Sequence, residues 1–568
     1  MIELVQRLNW FIDRVGLRPY INSDNPVSQG RRWPKDEKTA DQSKSTADRG
    51  NSSSCGGLFV ASLAWKAVLC LKLQGDQYIN LCILVALLQY ASGKSEKIMN
   101  QLIEQLPRRL ELRILEYQNG YVVYDVNSSI TFSIDKQLGP PLEIFTRLGV
   151  NEEAINASIQ QYGHDRTFQT LHLLKELNQK GIISDVAGIK ASVPPIPRVS
   201  SLFLNVIHGC NLRCAYCYAG GGSYGPLYAP NERMSIPVVR AAIDYLLEHS
   251  GEQKVLTINF FGGDRKREKV YSKRILFGIT TNAILVNRQV IEFIKENEIQ
   301  FLVSLDGDKK AHDAMRKNLF GKGTYEQTLR GAKLLLLNNP SITRVRATLS
   351  SANANIYAVA QHLFSIGFRC VSIGFVSDPK AFRPLPEQWQ DIQEGYKKIM
   401  KMVIDELRIN NRFINFLEFT EDVCRIYAGR KLYYCGTGKW MRAVDPKGNL
   451  YPCQRFVGLE EYRLGNVWEG DTNRELLNEF HNLHIYSIPV CSSCWIRHLC
   501  GGGCPHVNLM VNGSLRSPDQ QICRWFQYAL SETMKLLAEL GDAGEDHIIQ
   551  RIYREGTAGQ FDRSDTYA

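Results

Sequence analysis

The fold of this chain is decided by the stretch HGCNLRCAYCYAGGGSYG at residues 208–225. It places Cys210, Cys214 and Cys217 in the spacing CxxxCxxC, directly after the predicted strand LFLNVI at 202–207. Three thiolates on one irregular loop suit a soft metal, and such a loop can wrap a cuboidal iron–sulfur cluster. Three ligands leave one iron of a four-iron cluster open to chelate the amino and carboxylate groups of a small molecule. A zinc knuckle is the alternative, although zinc sites favour CxxC pairs and four ligands.

Alternating strands and helices follow this loop up to about residue 400. Further predicted strands, separated by helical patterns, continue the series at 256–261, 275–281, 301–306, 344–350 and 370–376. This rhythm predicts an α/β fold with a parallel sheet or a partial barrel. The working residues of such folds lie where the strands end.

The loop and the strand ends together resemble the radical S-adenosylmethionine (SAM) superfamily. The resemblance implies a partial (β/α)6 TIM-like barrel over residues 200–410, where a [4Fe–4S] cluster on Cys210, Cys214 and Cys217 cleaves SAM reductively. It also implies cofactor contacts at successive strand ends, from Gly262, Gly263, Asp264, Thr280, Asn282, Ser304, Asp306 and Arg346.

The second strand end departs from the superfamily pattern. The superfamily usually has Gly-Gly-Glu-Pro there, whereas this chain continues Gly262 and Gly263 with Asp264 and Arg265. The segment 265–279 is basic and short, while a parallel crossover takes about a dozen residues or more. These two features favour the alternative of a catalytically impaired peptide-binding scaffold.

A second group of cysteines begins at residue 435. It consists of CGTGKWMRAVDPKGNLYPC at 435–453, CSSCWIRHLCGGGC at 491–504 and Cys523. Its spacing resembles the SPASM extension of peptide-modifying radical SAM enzymes, and zinc is the alternative from the CxxC pair alone. The resemblance implies two auxiliary [4Fe–4S] clusters, one on Cys491, Cys494, Cys500 and Cys523 and the other on Cys435, Cys453 and Cys504.

The set Cys435, Cys453 and Cys504 has one position without a ligand. Cys424 or Cys370 could fill it, or the iron could stay open. An open iron could bind a substrate Cys thiolate, which would lower the pKa of that thiol and position it.

The remaining segments give the domain organisation. Residues 1–57 are predicted to be a flexible N-terminal segment and 58–110 a helical region of unknown role. Three strands (LRILEY, YVVYDV and ITFSI) and three helices predict a winged-helix-like unit at 111–185. The cysteine-rich domain is predicted at 425–541, with a final helix at about 524–541, and a C-terminal tail at 542–568.

The unit at 111–185 resembles the small recognition domain that is fused to many peptide-modifying enzymes. The resemblance implies that it holds a leader peptide by strand addition to the edge of the YVVYDV hairpin. A DNA-binding winged helix is the alternative, but the predicted helix at 166–180 carries only Arg166, Lys175 and Lys180 as basic residues.

Composition and charge indicate which cellular compartment and which classes of partner to expect. The 568-residue chain carries a formal charge of +10 and 15 cysteines, most of them clustered. No secretory signal follows Met1, so clustered cysteines favour metal in a reduced, cytoplasmic compartment over disulfides. The charge is modest for this length, so no nucleic-acid partner is expected. Lys66 and Lys72 interrupt the most apolar stretch, so no membrane span is expected.

The combined resemblance implies a radical SAM/SPASM maturase of ribosomally made peptides (RiPPs). PCQRFVG at 452–458 and GGGSYG at 220–225 are similar to sequences of maturases that join a Cys sulfur to a carbon. Sulfatase-maturing relatives typically have Asp immediately after the second SPASM Cys, where this chain has Gln454. A thioether is therefore the expected product, from a precursor peptide with a leader and an electron donor such as flavodoxin or ferredoxin. Carbon–carbon bond formation and oxidation are the alternatives.

Overall fold

The computed structural model describes residues 103–184, 198–225, 229, 231–259, 273–297, 299–338, 343–376 and 380–558. All of these residues belong to one compact unit. The predictions for residues 1–57, for most of 58–110, for Gly262, Gly263 and Asp264, and for the end of the C-terminal tail fall outside them.

The first described elements are the three strands and three helices predicted between 111 and 185. The helices are well delimited, since Gly149 and Gly163 adopt positive φ at their junctions and Asn151 accepts a hydrogen bond from Ala154 N. The bounds are β1 (Leu112–Glu116), β2 (Gly120–Asp125), β3 (Ile130–Asp135), α1 (Gly139–Leu148), α2 (Glu152–Tyr162) and α3 (His164–Gln179).

The edge available for a peptide strand in this unit is not the one that YVVYDV itself would offer. The three strands pair antiparallel in the order β1–β2–β3, so β2 is bonded on both sides. Strand addition to β2 is therefore excluded. Within the described part of the chain, β1 and β3 each keep an outer edge with no strand partner, so the predicted strand addition concerns one of these two strands.

The remaining strands follow the CxxxCxxC loop and extend into the cysteine-rich part. They are β4 (Ser201–Leu204), β5 (Ile207–His208), β6 (Glu232–Arg233), β7 (Val255–Asn259), β8 (Arg274–Thr281), β9 (Gln300–Ser304), β10 (Thr343–Leu349), β11 (Cys370–Phe375), β12 (Asn415–Phe416), β13 (Met441–Val444), β14 (Asn449–Tyr451), β15 (Gly465–Asn466) and β16 (Gly470–Asp471).

Helices alternate with the strands of the predicted barrel and then follow it. They are α4 (Ile236–His249), α5 (Arg288–Asn297), α6 (Lys309–Met315), α7 (Tyr325–Asn338), α8 (Ile356–Ile366), α9 (Trp389–Asn410), α10 (Leu417–Ala428), α11 (Arg474–His481), α12 (Pro489–Ser492), α13 (Arg497–Cys500), α14 (Pro505–Asn512), α15 (Gln520–Asp542) and α16 (Asp546–Ala558).

One 11-stranded sheet forms the body of the protein, in the order β12-β11-β10-β9-β8-β7-β4-β13-β14-β15-β16. All neighbours from β12 to β13 run parallel, whereas β14 to β16 are antiparallel. The six strands β4 and β7 to β11 are those predicted for the barrel. The sheet has two ends, β12 and β16, so this α/β fold is an open sheet and not a closed barrel.

Only one face of the parallel sheet is packed. In β10, Val345, Ala347 and Leu349 are buried, while the alternate residues are half-buried or exposed. The same alternation occurs in β7 and β9. Because successive side chains of a strand point to opposite faces, one face belongs to the core and the other is the open face of the sheet.

The short connection after β7 leaves the strand pairing intact. Strands β7 and β8 are parallel neighbours, with Val255 opposite Arg274. The connection between them, residues 260–273, lies almost wholly outside the described residues. The departure in sequence therefore does not interrupt the sheet.

The C-terminal end is more ordered than the sequence predicts. The predicted final helix is α15, which begins at Gln520. Within the predicted tail at 542–568, residues 546–558 form α16, so the prediction is wrong there. Ile548, Ile549 and Ile552 are buried, and this apolar face packs the helix onto the protein. None of the described helices has the length and apolarity to cross a membrane.

Candidate functional site

The CxxxCxxC loop is closed by its own backbone and by glycine. Cys217 N donates to Cys214 O at 3.1 Å, and Gly220 N donates to Cys217 O at 3.1 Å. Gly222 has a φ of +91°, and a Cβ atom there would lie 2.8 Å from the carbonyl carbon of Gly209. The end of the loop therefore packs on its beginning, and the contact requires glycine.

The three thiols of the loop are close enough to influence one another. The pKa of Cys214 is raised to about 11, chiefly by burial; Arg316 opposes the shift, and Cys217 and Cys210 add to it. Thiols that are costly to ionise together become thiolates when they coordinate a metal cation. This donor set fits the predicted [4Fe–4S] cluster.

Asp306 ties the loop to the ends of two strands. Its carboxylate accepts from Arg316 Nε at 2.9 Å and Nη2 at 3.1 Å, and from Thr348 N at 2.9 Å. It also accepts from the hydroxyl of Tyr216, which stands within the CxxxCxxC loop. The side chains of Asp306 and Arg316 are 1% and 9% exposed. Since a buried ion pair is tolerated only when it is well bonded, the loop is fixed by this network.

Two polar side chains of the same region approach the ligand sulfurs. Arg316 Nη1 lies 4.0 Å from Cys214 Sγ. Asn282 Nδ2 lies 4.0 Å from Cys210 Sγ and donates to Asn211 Oδ1 at 2.8 Å. Hydrogen bonds to ligand sulfurs help to set the reduction potential of an iron–sulfur cluster.

The predicted cofactor contacts fall into three sets. Thr280, Ser304 and Arg346 lie on the open face of the sheet, with Ser304 and Arg346 opposite each other in register. Asn282 and Asp306 are instead engaged with the cysteine loop. Asp306 uses both carboxylate oxygens inside the protein, which is a different role from the predicted contact with SAM. The remaining predicted contacts, Gly262 to Asp264, are outside the described residues.

A carboxylate that sequence reasoning missed closes the β12 edge of the sheet. Strand β12 ends at Phe416, beyond which Glu418 Oε1 accepts from Ile373 N at 2.9 Å and from Ser372 Oγ at 2.7 Å. Arg346 Nη1 donates to Ser372 Oγ at 3.4 Å. Burial raises the pKa of Glu418 to about 7, against the opposing effects of Ser372 and Arg346. No cation pairs directly with this carboxylate within the described part of the chain.

The cysteines of the second group separate into two neighbourhoods. The pKa of Cys491 is raised to about 12 by burial and then by Cys500, Cys523 and Cys494. The pKa of Cys453 is raised to about 12 by burial and then by Cys504 and Cys435. These neighbourhoods coincide with the two ligand sets that the SPASM resemblance implies. As sets of neighbouring thiols that are buried or half-buried, both fit iron–sulfur clusters.

The two cysteines that could supply a fourth ligand, Cys370 and Cys424, have surroundings different from those of the set around Cys453. The pKa of Cys370 is raised chiefly by burial, and the charged groups that influence it are Arg344, Glu418 and Glu421, not cysteines. Cys424 is buried at the α16 contact, where its Sγ would lie 4.0 Å from a Cβ atom at Gly556. Across the described ranges, no three His, Cys, Asp or Glu side chains are arranged to hold a single metal ion.

Backbone geometry helps to hold the second group. Gly501 follows Cys500 with a φ of +83°, and a Cβ atom there would lie 2.3 Å from Tyr433 O. Cys494 N donates to Cys491 O at 3.1 Å, as in a tight turn. Glycine corners and turns therefore set the positions of these thiols.

Tyr218 connects the two cysteine groups. It follows Cys217, and both Cys453 and Cys217 contribute to the raised pKa of its phenol, which is due chiefly to burial. The guanidinium carbon of Arg455 lies 5.1 Å from the centre of the Tyr218 ring. The side chain is nevertheless 47% exposed. Its ring also makes an edge contact with His506, at 6.3 Å between ring centres. The segment that follows Cys217 therefore lies against the segments that follow Cys453 and Cys504.

Comparison with known proteins agrees with this arrangement. The model of the Radical SAM superfamily matches residues 204–343. The chain is 25% identical over 334 residues to the Cysteine-type anaerobic sulfatase-maturating enzyme of Clostridium perfringens, covering 54% of this chain and 89% of that protein. It is 25% identical over 342 residues to the Antilisterial bacteriocin subtilosin biosynthesis protein AlbA of Bacillus subtilis, covering 56% and 69%.

A solved structure supports the fold. The histidine-tagged form of anSMEcpe with bound AdoMet superposes with a TM-score of 0.52 at 20% identity, covering 66% of this chain and all of that one. At this level of identity the likeness concerns the fold alone.

Proposed function

We propose that this chain, a radical SAM enzyme with a SPASM-type cysteine arrangement, joins a Cys sulfur to a carbon atom of a ribosomally made peptide. The observation that carries the proposal is the contact of Tyr218 with Arg455 and His506, since it places the first cysteine group next to the set Cys435, Cys453 and Cys504. A peptide there can approach a radical source and a thiol-binding site together.

Different residues of the chain have different roles in this reaction. Cys210, Cys214 and Cys217 hold the SAM-binding cluster, while Asp306, Arg316 and Tyr216 keep that loop in place. When bound, the cluster and SAM supply an electron and a carbon radical that removes hydrogen from the substrate. Thr280, Ser304 and Arg346 present hydroxyl and guanidinium groups on the open face, where they would orient the polar ends of SAM.

The set Cys435, Cys453 and Cys504 would position the substrate thiol. A cluster held there with an open coordination position would lower the pKa of a bound thiol. Joining sulfur to carbon would remove a proton from the thiol, a hydrogen atom from the carbon and one electron. An external carrier such as flavodoxin or ferredoxin would be the final acceptor of that electron. Gln454, the residue after Cys453, supplies no carboxylate base, which disfavours a sulfatase-maturase reaction.

A peptide library tests the proposal. The anaerobically reconstituted enzyme, with dithionite and SAM, is offered pooled synthetic peptides that contain Cys. Modified peptides should lose the mass of two hydrogen atoms and resist thiol alkylation, as a thioether requires. Cys435→Ala should abolish that product while 5′-deoxyadenosine release persists. A carbonyl product, or a modified peptide that still alkylates, would contradict the proposal.

A further inference from the structure

A cleft of about 1110 Å³ opens between the winged-helix-like unit and the cysteine-rich part. Residues 103 and 108–111, together with the α1–α2 turn at 146–152, form one wall. Tyr486, Ser492, Ser493 and Arg497 form the other. We call it the arginine cleft, because its lining includes Arg108, Arg109, Arg147 and Arg497.

Both walls of the arginine cleft are fixed. Val150 N donates to Arg108 O at 3.2 Å, and a Cβ atom at Gly149 would lie 2.8 Å from the same oxygen. This contact docks the α1–α2 turn on the segment before β1. At the floor, Arg497 donates to both carboxylate oxygens of Glu111, at 2.5 and 2.6 Å. The cleft is therefore formed jointly by the two parts of the protein.

The cleft has an excess of positive charge. Glu111 is already paired with Arg497, and Glu152 is the other carboxylate of the lining. Arg109 and Arg147 are exposed and form no ion pair with another described residue. The Nε of Arg497 is buried and has no acceptor within the described part of the chain. Guanidinium groups in such a position favour carboxylate ligands, which they bind in a bidentate manner.

We propose that the arginine cleft binds an acidic segment of the peptide substrate, an inference that rests on the function proposed above. Carboxylates of the segment would pair with Arg109 and Arg147. Its backbone would lie along Ser492 and Ser493, which stand between the cluster ligands Cys491 and Cys494. Binding there anchors the peptide against the auxiliary-cluster domain, at a site distinct from the outer edge of β3.

The size and chemistry of the cleft favour a peptide over the alternatives. Its volume exceeds the range of about 300–1,000 Å³ that is usual for small-molecule pockets. Single-stranded nucleic acid needs aromatic side chains for base stacking, and Tyr486 is the one aromatic residue among the described lining residues. An extended peptide with carboxylate side chains is long enough for a cleft of this volume and does not need aromatic residues for stacking.

Charge reversal tests this inference with a matched control. A fluorescein-labelled oligoglutamate peptide is titrated against the full-length reconstituted protein, and anisotropy is measured at low and high salt. The double variant Arg109→Glu, Arg147→Glu should bind about tenfold or more weakly, as expected when charges across an interface become alike. The control, Arg330→Glu with Lys333→Glu on exposed positions of α7, makes the same change of charge and should leave affinity unchanged.

A conservative variant separates charge from structure. Arg109→Lys with Arg147→Lys keeps the positive charges and should retain most of the affinity at low salt. Equal weakening by both charge reversals would overturn the inference, because it would indicate general attraction to a basic protein. The inference would also be overturned, in favour of nucleic acid, if an oligonucleotide bound as tightly as the oligoglutamate peptide and lost that binding in the Arg109→Glu, Arg147→Glu variant.

The outcome is independent of the proposed reaction. Release of 5′-deoxyadenosine is measured with the same proteins and should be unchanged by the cleft substitutions. SAM cleavage without oligoglutamate binding at the cleft would refute the inference alone. Binding at the cleft without SAM cleavage would refute the proposed function while the peptide site stands.

Discussion

The two cysteine groups of this protein are held in place by different means. The first group has glycine and backbone turns and, in addition, a buried charged network, because Asp306 joins Arg316 and Tyr216 to the CxxxCxxC loop. Backbone shape fixes the second group, because glycine corners such as Gly501 set the chain in conformations that other residues resist. The cysteines of the first group are half-buried, and so are those of the second group except Cys453 and Cys491, which are buried.

This difference agrees with the roles proposed above for the two groups. A loop that binds an exchangeable ligand at an open iron needs support that leaves one side accessible, and the polar network around Asp306 would provide it. Auxiliary clusters need fixed ligand positions, which glycine corners would provide. We therefore expect a substitution in the residues that hold one cysteine group to remove iron from that group and to leave the iron of the other group in place.

The largest effect is expected at Asp306. Asp306→Asn leaves Arg316 buried without its counter-charge, which costs about 3–5 kcal/mol for a buried pair. We expect a lower free energy of unfolding in urea and loss of the first cluster, with the auxiliary clusters retained, as measured by iron content and electron paramagnetic resonance. Asp308→Asn, at the exposed cap of α6, is the control and should keep all the iron. Equal iron loss from both groups would contradict the expectation that Asp306 supports the first group alone.

Substitution of Glu418 is expected to raise the stability of the protein, whereas substitution of Asp306 lowers it. Glu418 is a carboxylate without a direct cationic partner among the described residues. Its folded pKa of about 7 lies above the ordinary value of 4.5 for a glutamate. The folded state therefore binds the extra proton, and stability is present below about pH 4.5 and lost as the pH rises through 7. Glu418→Gln removes this loss and should stabilise the protein at pH 8 by up to about 3 kcal/mol.

Urea unfolding between pH 4.5 and 8 measures this effect at Glu418. The wild type should lose stability over this range relative to Glu418→Gln. Glu421→Gln on the same helix removes a carboxylate bonded to Arg425 at 2.8 Å and should give no gain at pH 8. A parallel pH profile for wild type and Glu418→Gln would show that the Glu418 carboxylate is not costly to ionise.

A smaller effect is expected from the backbone of the second group. Gly501→Ala adds both an unfavourable positive φ and a clash with Tyr433 O, for a cost of about 2 kcal/mol. Iron should be lost from the auxiliary clusters, while the SAM-dependent signal of the first cluster remains. Gly513→Ala is a matched control, since its φ of +71° is similar but nothing lies within 4 Å of the added Cβ. Equal iron loss in the two variants would attribute the effect to backbone strain alone.

The smallest effect is expected at Asn282. Asn282→Ala removes two side-chain hydrogen bonds, one to Asn211 Oδ1 and one from Ile284 N, each worth about 1 kcal/mol, and one contact with Cys210 Sγ. The first cluster should remain bound, with a lower reduction potential, because a donor near its ligand sulfur is lost. Potentiometric titration measures the shift. An unchanged potential would mean that the contact with Asn282 does not tune the cluster.

The parallel sheet and the grouping of the cysteines could be predicted from the sequence for physical reasons. Cysteine spacing is a local property, and the strand series from 202 to 376 carries regular alternation. The supporting network was not predictable in the same way. Arg316 and Tyr216 meet Asp306 only after folding brings the cysteine loop, β9 and α6 together. A Tyr between two ligand cysteines, and an Arg ten residues after a strand-end Asp, were the available signals.

The edges and ends of the fold were also harder to predict. A run such as YVVYDV indicates a strand but not its neighbours, so the central position of β2 came only from the structure. Residues 546–558 are polar overall, and their helix depends on the tertiary burial of Ile548 and Ile552. Glu418 was missed because a single Glu after a predicted strand has many ordinary roles.

The proposed function depends most directly on the binding of SAM at the first cysteine group. The most direct test is electron paramagnetic resonance of the dithionite-reduced, reconstituted protein with and without SAM. The account predicts that SAM shifts the signal of one cluster and that Cys210→Ala with Cys214→Ala and Cys217→Ala abolishes the shift, while the auxiliary signals remain. A shift that persists in this triple variant, or no shift in the wild type, would contradict it.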